Sequence, residues 1–241
     1  MQIVIRITDT YSLSINYIHR NRVMLKRLPV NTNIKLHTGN EYMGLTVLKT
    51  VGPLSEPYLE RMYLTINKAL EEHPRTLAIR FDLTFPEWMG FIHTDVISKF
   101  LASLEAQIEA DLKRKAKSGI RVYPCTVRYI WAREQVSSHH WHYHCVIFLN
   151  KDAYFTLGDI TAEEGNTAAR IHKAWASALG TDFNAVRGLI QFCDNGEYYL
   201  DRNDVWNEVE LSRLFEACSY LAKVATKQFG DRTKNFSSSN R

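Results

Sequence analysis

From Leu77 to Phe229 the hydrophobic period of this chain switches between two and 3.6 residues in a fixed order, and that order leaves few folds open. Leu77–Phe85 reads as a strand. Thr94 caps a long helix to Ser118, with Val96, Phe100, Leu104, Ile108 and Leu112 on one face and Gly119 as its stop. Arg121–Arg133 and Trp141–Asn150 are β-rich runs close enough together to form an antiparallel hairpin. Asn166–Leu179 is helical, with Ile171, Trp175 and Leu179 as its stripe and Gly180 as its C-cap. Gly188–Cys193 is a strand and Glu208–Phe229 a last helix. The order β-α-β-β-α-β-α predicts an α+β fold, a ferredoxin-like split βαβ antiparallel sheet. Its helices lie on one face, and the last helix lies near the other, otherwise free, face.

Upstream, Pro57–His73 is an amphipathic helix with Ser55 as N-cap and Leu59, Met62, Tyr63, Ile66 and Leu70 as its stripe. Residues 1–55 hold short strand-like runs, Gln2–Ile7 and Asn33–Leu36, around a basic stretch, Arg20–Arg27. They form an N-terminal extension of unassigned role, and residues 56–241 form the main domain. Composition matters here for what it excludes. At 45% hydrophobic and 23% charged the chain is neither disordered nor low-complexity. No apolar run approaches the length of a membrane span, and the first residues lack the pattern of a signal peptide. Cys125, Cys145, Cys193 and Cys218 are widely spaced, which fits a reducing compartment. A cytoplasmic protein with no membrane partner is expected. The net charge of +4 permits nucleic-acid binding, and Arg213, Lys223, Lys227, Arg232, Lys234 and Arg241 crowd the last third.

Two segments carry chemistry. In SSHHWHYHCVIFLN, His142 and His144 are two apart on a strand and so share a face with Val146 and Phe148. Two imidazoles on one rigid strand can converge on a metal ion and need a third ligand. A turn centred near Ser138 places Glu134 opposite His142, and directly paired residues point to the same face. Glu134, His142 and His144 are therefore candidate metal ligands; the alternative is a His-x-His pair that merely decorates a surface. His139 and His140 fall in the turn, exposed or touching DNA. On the last helix, a wheel at 100° per residue puts Leu211, Leu214, Phe215, Cys218, Leu221, Ala222 and Ala225 on the far side from Tyr220. Arg213, Glu216, Lys223 and Lys227 cluster within about 60° of it. Tyr220 thus sits on a mainly basic face, either as a reactive group or as a cover for a helix junction.

Three motifs in order resemble the HUH endonuclease superfamily: RFDLTFP (Arg80–Pro86), the His-hydrophobic-His strand HYH (His142–His144), and YLAK (Tyr220–Lys223). More closely, HPRTLAIRFDLTFP, HWHYHCVIFLN and SYLAKVATK are similar to the inovirus-type replication endonucleases of prophages, the YagK/YfjJ-like family. The likeness covers roughly residues 57–240 and would make residues 56–241 an HUH endonuclease domain. It implies a single-tyrosine, rolling-circle replication initiator that nicks and joins single-stranded or hairpin origin DNA, with a host helicase or polymerase as further candidate partners. Tyr220 would be the nucleophile and Lys223 its assistant. Glu134, His142 and His144 would hold Mg²⁺ or Mn²⁺, the mixed nitrogen and oxygen set favouring Mn²⁺ by hardness. Asp82, Thr84, Lys227 and Arg213 are the candidate DNA contacts; Asp82 stands where many relatives carry threonine or another small polar residue. Two rival classes remain: a non-catalytic DNA-binding relative, and a His₂-carboxylate enzyme acting on a small substrate.

Overall fold

The computed structural model describes residues 26–90, 92–135, 141–230 and 233–240. The expected Gln2–Ile7 strand, most of Arg20–Arg27, the turn holding Ser138, His139 and His140, and Arg232 and Arg241 lie outside the described residues. Five short strands come first: β1 (Arg27–Leu28), β2 (Asn31–His37), β3 (Glu41–Tyr42), β4 (Leu45–Thr46) and β5 (Leu54–Ser55). Helix α1 (Glu56–Glu72) and strand β6 (Arg75–Leu83) follow, then α2 (Val96–Lys117), β7 (Arg128–Glu134), β8 (His142–Asn150), α3 (Thr167–Leu179), β9 (Ile190–Asp201), α4 (Asn207–Ser219) and β10 (Phe236–Ser238).

The molecule is mixed α+β, built on a five-stranded antiparallel sheet in the order β10-β7-β8-β6-β9. Strands β6 and β7 are separated by α2 in sequence and by β8 in space, which is the split βαβ pattern. Alternation along β8 divides the core. Tyr143, Cys145, Ile147 and Leu149 face α2 and α3, where Phe100, Leu104, Ile108, Ile171 and Trp175 close the first core. Val146 and Phe148 face the other way, into a second core. The last helix lies on this second face as expected, but the face is not otherwise free, because α1 covers it too. Leu59, Met62 and Ile66 of α1 and Leu214, Phe215 and Cys218 of α4 cover the second face. The apolar side chains of Ala78, Ile130, Ala132, Val146 and Phe148 there could not be left to water.

Local chemistry sets most boundaries. Asn166 caps α3 by accepting from the Ala169 amide, and Gly180 ends it in the left-handed region at φ 68°. Helix α1 starts beside Ser55 as expected, but that hydroxyl makes no capping bond and is buried without a partner, because Ser55 is already a β5 residue paired with Leu36. Asp95 rather than Thr94 precedes α2. The long run expected from Arg121 becomes a strand only at Arg128; Pro124 has no amide to give a ladder. Strand β9 is longer than expected, and β10, which the sequence did not announce, pairs with β7.

The last helix departs most from expectation. It ends at Ser219, tightens into a 3₁₀ turn over Tyr220–Ala222, and turns extended at Lys223, with φ −56° and ψ 140°. Lys223 forms an isolated antiparallel bridge with Leu54. Lys223 and Lys227 therefore do not continue the helical face of Tyr220. No helix among the described residues is long and apolar enough to cross a membrane.

Candidate metal centre and its tyrosine

The β7–β8 ladder pairs Glu134 with His142 and Ala132 with His144, so the turn-symmetry register holds. Glu134, His142 and His144 each offer a ligand atom, and the three atoms lie within 4.8 Å of one another. His142 Nε2 and His144 Nε2 are 3.2 Å apart, and His144 Nε2 is 3.4 Å from Glu134 Oε2. Ligand atoms about 2.0–2.2 Å from a single ion lie at comparable separations, so the donor set fits a divalent cation of intermediate hardness.

Asp82, expected to touch DNA, instead supports the cluster. It stands directly opposite His144 in the β6–β8 ladder, and its Oδ1 accepts from His144 Nδ1 at 2.7 Å. A carboxylate on Nδ1 fixes the imidazole plane and directs Nε2 toward the cluster, the usual outer support of a metal-binding histidine. Burial by itself would lower the His144 pKa, but the bonds to Asp82 and Glu134 raise it. His142 moves the other way: burial, and then the charge of His144, push it down.

Glu134 is buried and crowded by donors. Its Oε2 accepts from Thr226 Oγ1 at 2.7 Å and pairs with Lys223 Nζ at 2.7 Å, while Oε1 accepts from Lys227 Nζ at 2.9 Å. Burial would raise this carboxyl, but the His144 bond and the two ammonium groups outweigh it and hold it well below the usual carboxylate range. Lys227 is fully buried; burial lowers its pKa to about 8 against the opposing pull of Glu134. A lysine in that place neutralises Glu134 and cannot reach a DNA strand. An ion taking up Oε2 must share it with Lys223 or displace it.

Tyr220 lies against this cluster. Its ring meets His144 edge-on at 5.0 Å between centroids, and Lys223 Nζ is 3.6 Å from the ring centroid. Ser219, just before it, is held on both sides, donating to Glu216 O at 2.6 Å and accepting from the Leu48 amide at 2.8 Å. The remaining expected DNA contacts are apart. Thr84 donates to Leu189 O at 3.0 Å beyond the end of β6, and Arg213 pairs with Glu210 at 2.6 Å on α4. Two residues escaped sequence reasoning. Thr226 had no signal at all. Arg80, whose guanidinium carbon is 5.3 Å from the Tyr220 ring centroid, had one: it is two residues before Asp82 and so shares its face.

The uncharacterized protein YagK of Escherichia coli (strain K12) is 36% identical over 184 residues, 71% of this chain and 88% of YagK. The uncharacterized protein YfjJ of the same organism is 31% identical over 190 residues, 74% of this chain and 91% of YfjJ. No solved structure matches significantly. The model of the YagK/YfjJ C-terminal domain matches residues 37–239, a span that takes in the cluster, its supporting carboxylate and the tyrosine, and the chain belongs to that family.

Proposed function

We propose that the protein is an HUH-type endonuclease that nicks and rejoins single-stranded or hairpin DNA, initiating rolling-circle-type replication of a phage or prophage element in the cytoplasm. One observation carries this reading: a tyrosine ring packs 5.0 Å from a histidine of a buried His₂-carboxylate cluster. A hydrolase or oxygenase acting on a small substrate has no use for that tyrosine.

The Tyr220 phenol oxygen attacks phosphorus in line. An oxygen–phosphorus bond to the tyrosine forms and the bond from phosphorus to the 3′ oxygen breaks. The phenol loses its proton and the departing oxygen gains one, leaving a 5′-phosphotyrosine and a free 3′-OH. Bond energy is kept in the new ester, so attack by a 3′-OH restores a DNA strand without ATP. Glu134, His142 and His144 would hold a divalent ion, Mn²⁺ or Mg²⁺, which would supply positive charge at the scissile phosphate. Asp82 keeps the His144 ring in place throughout. Lys223, between Glu134 and the tyrosine ring, neutralises phosphate charge or handles the phenol proton.

The test is incubation with end-labelled single-stranded DNA and Mn²⁺, followed by a denaturing gel and mass spectrometry of the trapped product after nuclease trimming. A covalent adduct on Tyr220 is expected, and Tyr220→Phe should abolish it while leaving stability within about 0.5 kcal/mol. An adduct on Tyr198 or Tyr199, or full yield from Tyr220→Phe, would refute the assignment.

A further inference from the structure

We propose that Arg80 and the cavity beside it bind a phosphodiester of the DNA strand flanking the one that Tyr220 attacks, an inference that rests on the nicking activity proposed above. Arg80 is paired across β6–β8 with Val146, on the same sheet face as Asp82 and His144. Its guanidinium carbon is 5.3 Å from the Tyr220 ring centroid, and its Nε is buried with no hydrogen-bond partner. The buried cations beside Tyr220 and Glu134 are matched: Lys223 and Lys227 both pair with Glu134. No ion pair involves Arg80 among the described residues. A buried Nε–H without an acceptor costs free energy, and an incoming anion that accepts from it removes that cost.

The backbone opens space at the same place. Four residues of β9, Cys193 to Gly196, stand opposite the single residue Arg80, because the ladder pairs Ile79 with Glu197 and Phe81 with Phe192. Asn195 in this bulge has φ 53°. A Cβ on Gly196 would lie 2.7 Å from Cys193 O and 2.9 Å from Arg80 O, so only glycine permits the fold-back. The bulge walls a cavity of about 420 Å³ that runs from Arg80 to Arg213. That size accommodates a nucleotide. The carboxylates on its wall are already engaged, Glu197 by Thr156 Oγ1 and the Leu157 amide, and Glu210 by Arg213. Arg213 is held by Glu210, which among the described residues leaves Arg80 as the cation on this wall without an ion pair, and a planar guanidinium fork suits a phosphodiester's two free oxygens.

The test uses a fluorescein-labelled single-stranded 12-mer and the Tyr220→Phe background, so that binding is read without cleavage. Anisotropy is measured across a salt series. Arg80→Met keeps the apolar stem and should weaken binding roughly ten- to hundredfold, with the slope of log affinity against log salt shallower by about 0.7 for one lost phosphate contact. Calorimetric Mn²⁺ affinity should not change, which a merely structural role for Arg80 would not guarantee. Should Arg80→Met lower the melting temperature, Arg80→Lys decides: it keeps a charge, so the salt slope should survive while affinity drops. Unchanged affinity and slope in Arg80→Met, or in Arg80→Lys an affinity equal to the parent's, overturns the subsite. If the unsubstituted chain still forms its Tyr220 adduct in that case, the nicking activity stands; absence of any DNA binding by that chain removes both.

Discussion

Glu134 carries one negative charge against two ammonium groups, and the two lysines serve it differently. Lys227 is sealed behind the carboxylate with a second bond to Lys223 O at 2.8 Å, so it belongs to the folded core. Lys223 approaches from the tyrosine side, on the oxygen that an ion would need. It acts as a resident cation that competes with a divalent metal for that oxygen. Lys223→Met is therefore expected to bind Mn²⁺ more tightly, by about tenfold if a charged hydrogen bond of about 1.4 kcal/mol no longer competes. The same variant should form adduct more slowly, because a charge beside Tyr220 is gone. Calorimetry and single-turnover adduct kinetics check the two directions; weaker Mn²⁺ binding in Lys223→Met would sink the competition. A helical wheel could not show this arrangement. It treats each side chain as answering to its own helix, whereas the buried charge of Glu134 draws both lysines to itself from a chain that has already left the helix.

Among the elements, α2 and α3 are joined over the sheet by one buried acid. Asp111 of α2 meets Arg170 of α3 at 2.7 Å, Arg114 at 2.5 Å and Lys115 at 2.8 Å, and accepts from the Tyr154 hydroxyl at 3.0 Å. Burial would raise its carboxyl, but these four donors bring it down to about 2. A folded pKa below the unfolded one means stability that is complete above the ordinary carboxylate range and is lost as the pH falls from about 4 toward 2. The gap of nearly two units corresponds to about 2 kcal/mol. Asp111→Asn should lose at least that much at pH 7 in urea unfolding, since it also leaves Arg170 unpaired, and its stability should fall less steeply than the parent's below pH 4. Equal acid limbs would place the titration elsewhere. Element order, the hairpin register and the Gly180 cap were legible because each rests on spacing within a short stretch. The role of Asp82 was not, since it depends on β6 lying beside β8, a pairing between residues 62 apart. The end of α4 was not either: it rests on the Leu48 amide reaching Ser219 and on the bridge from Leu54 to Lys223.

At the scale of the whole molecule, the site lies where three distant parts of the chain meet. The sheet supplies Asp82, Glu134, His142 and His144. The segment after α4 supplies Tyr220, Lys223, Thr226 and Lys227. Residues 45–55 hold that segment down: Val47 and Leu54 are buried in the second core, Leu54 bridges Lys223, and the Val224 amide donates to Pro53 O at 3.4 Å. The family match beginning at residue 37 spans this clamp as well as the sheet. Sheet ligands and tyrosine can then be uncoupled from outside the site. Leu54→Ala removes a fully buried side chain and should cost about 2–5 kcal/mol, read from urea unfolding. Its larger effect should be on geometry. The strand that fixes Lys223 loosens, so adduct formation falls while Mn²⁺ binding at Glu134, His142 and His144, which lies on the sheet, changes little. A chain of residues 56–241 takes this to its limit, with the clamp gone and both helix-covered faces of β6 to β9 still present. It should melt earlier and form less than a tenth of the parent's Tyr220 adduct, measured at a temperature where circular dichroism shows it folded. Full adduct yield from residues 56–241 would mean that the tyrosine segment positions itself, and that residues 45–55 contribute packing alone.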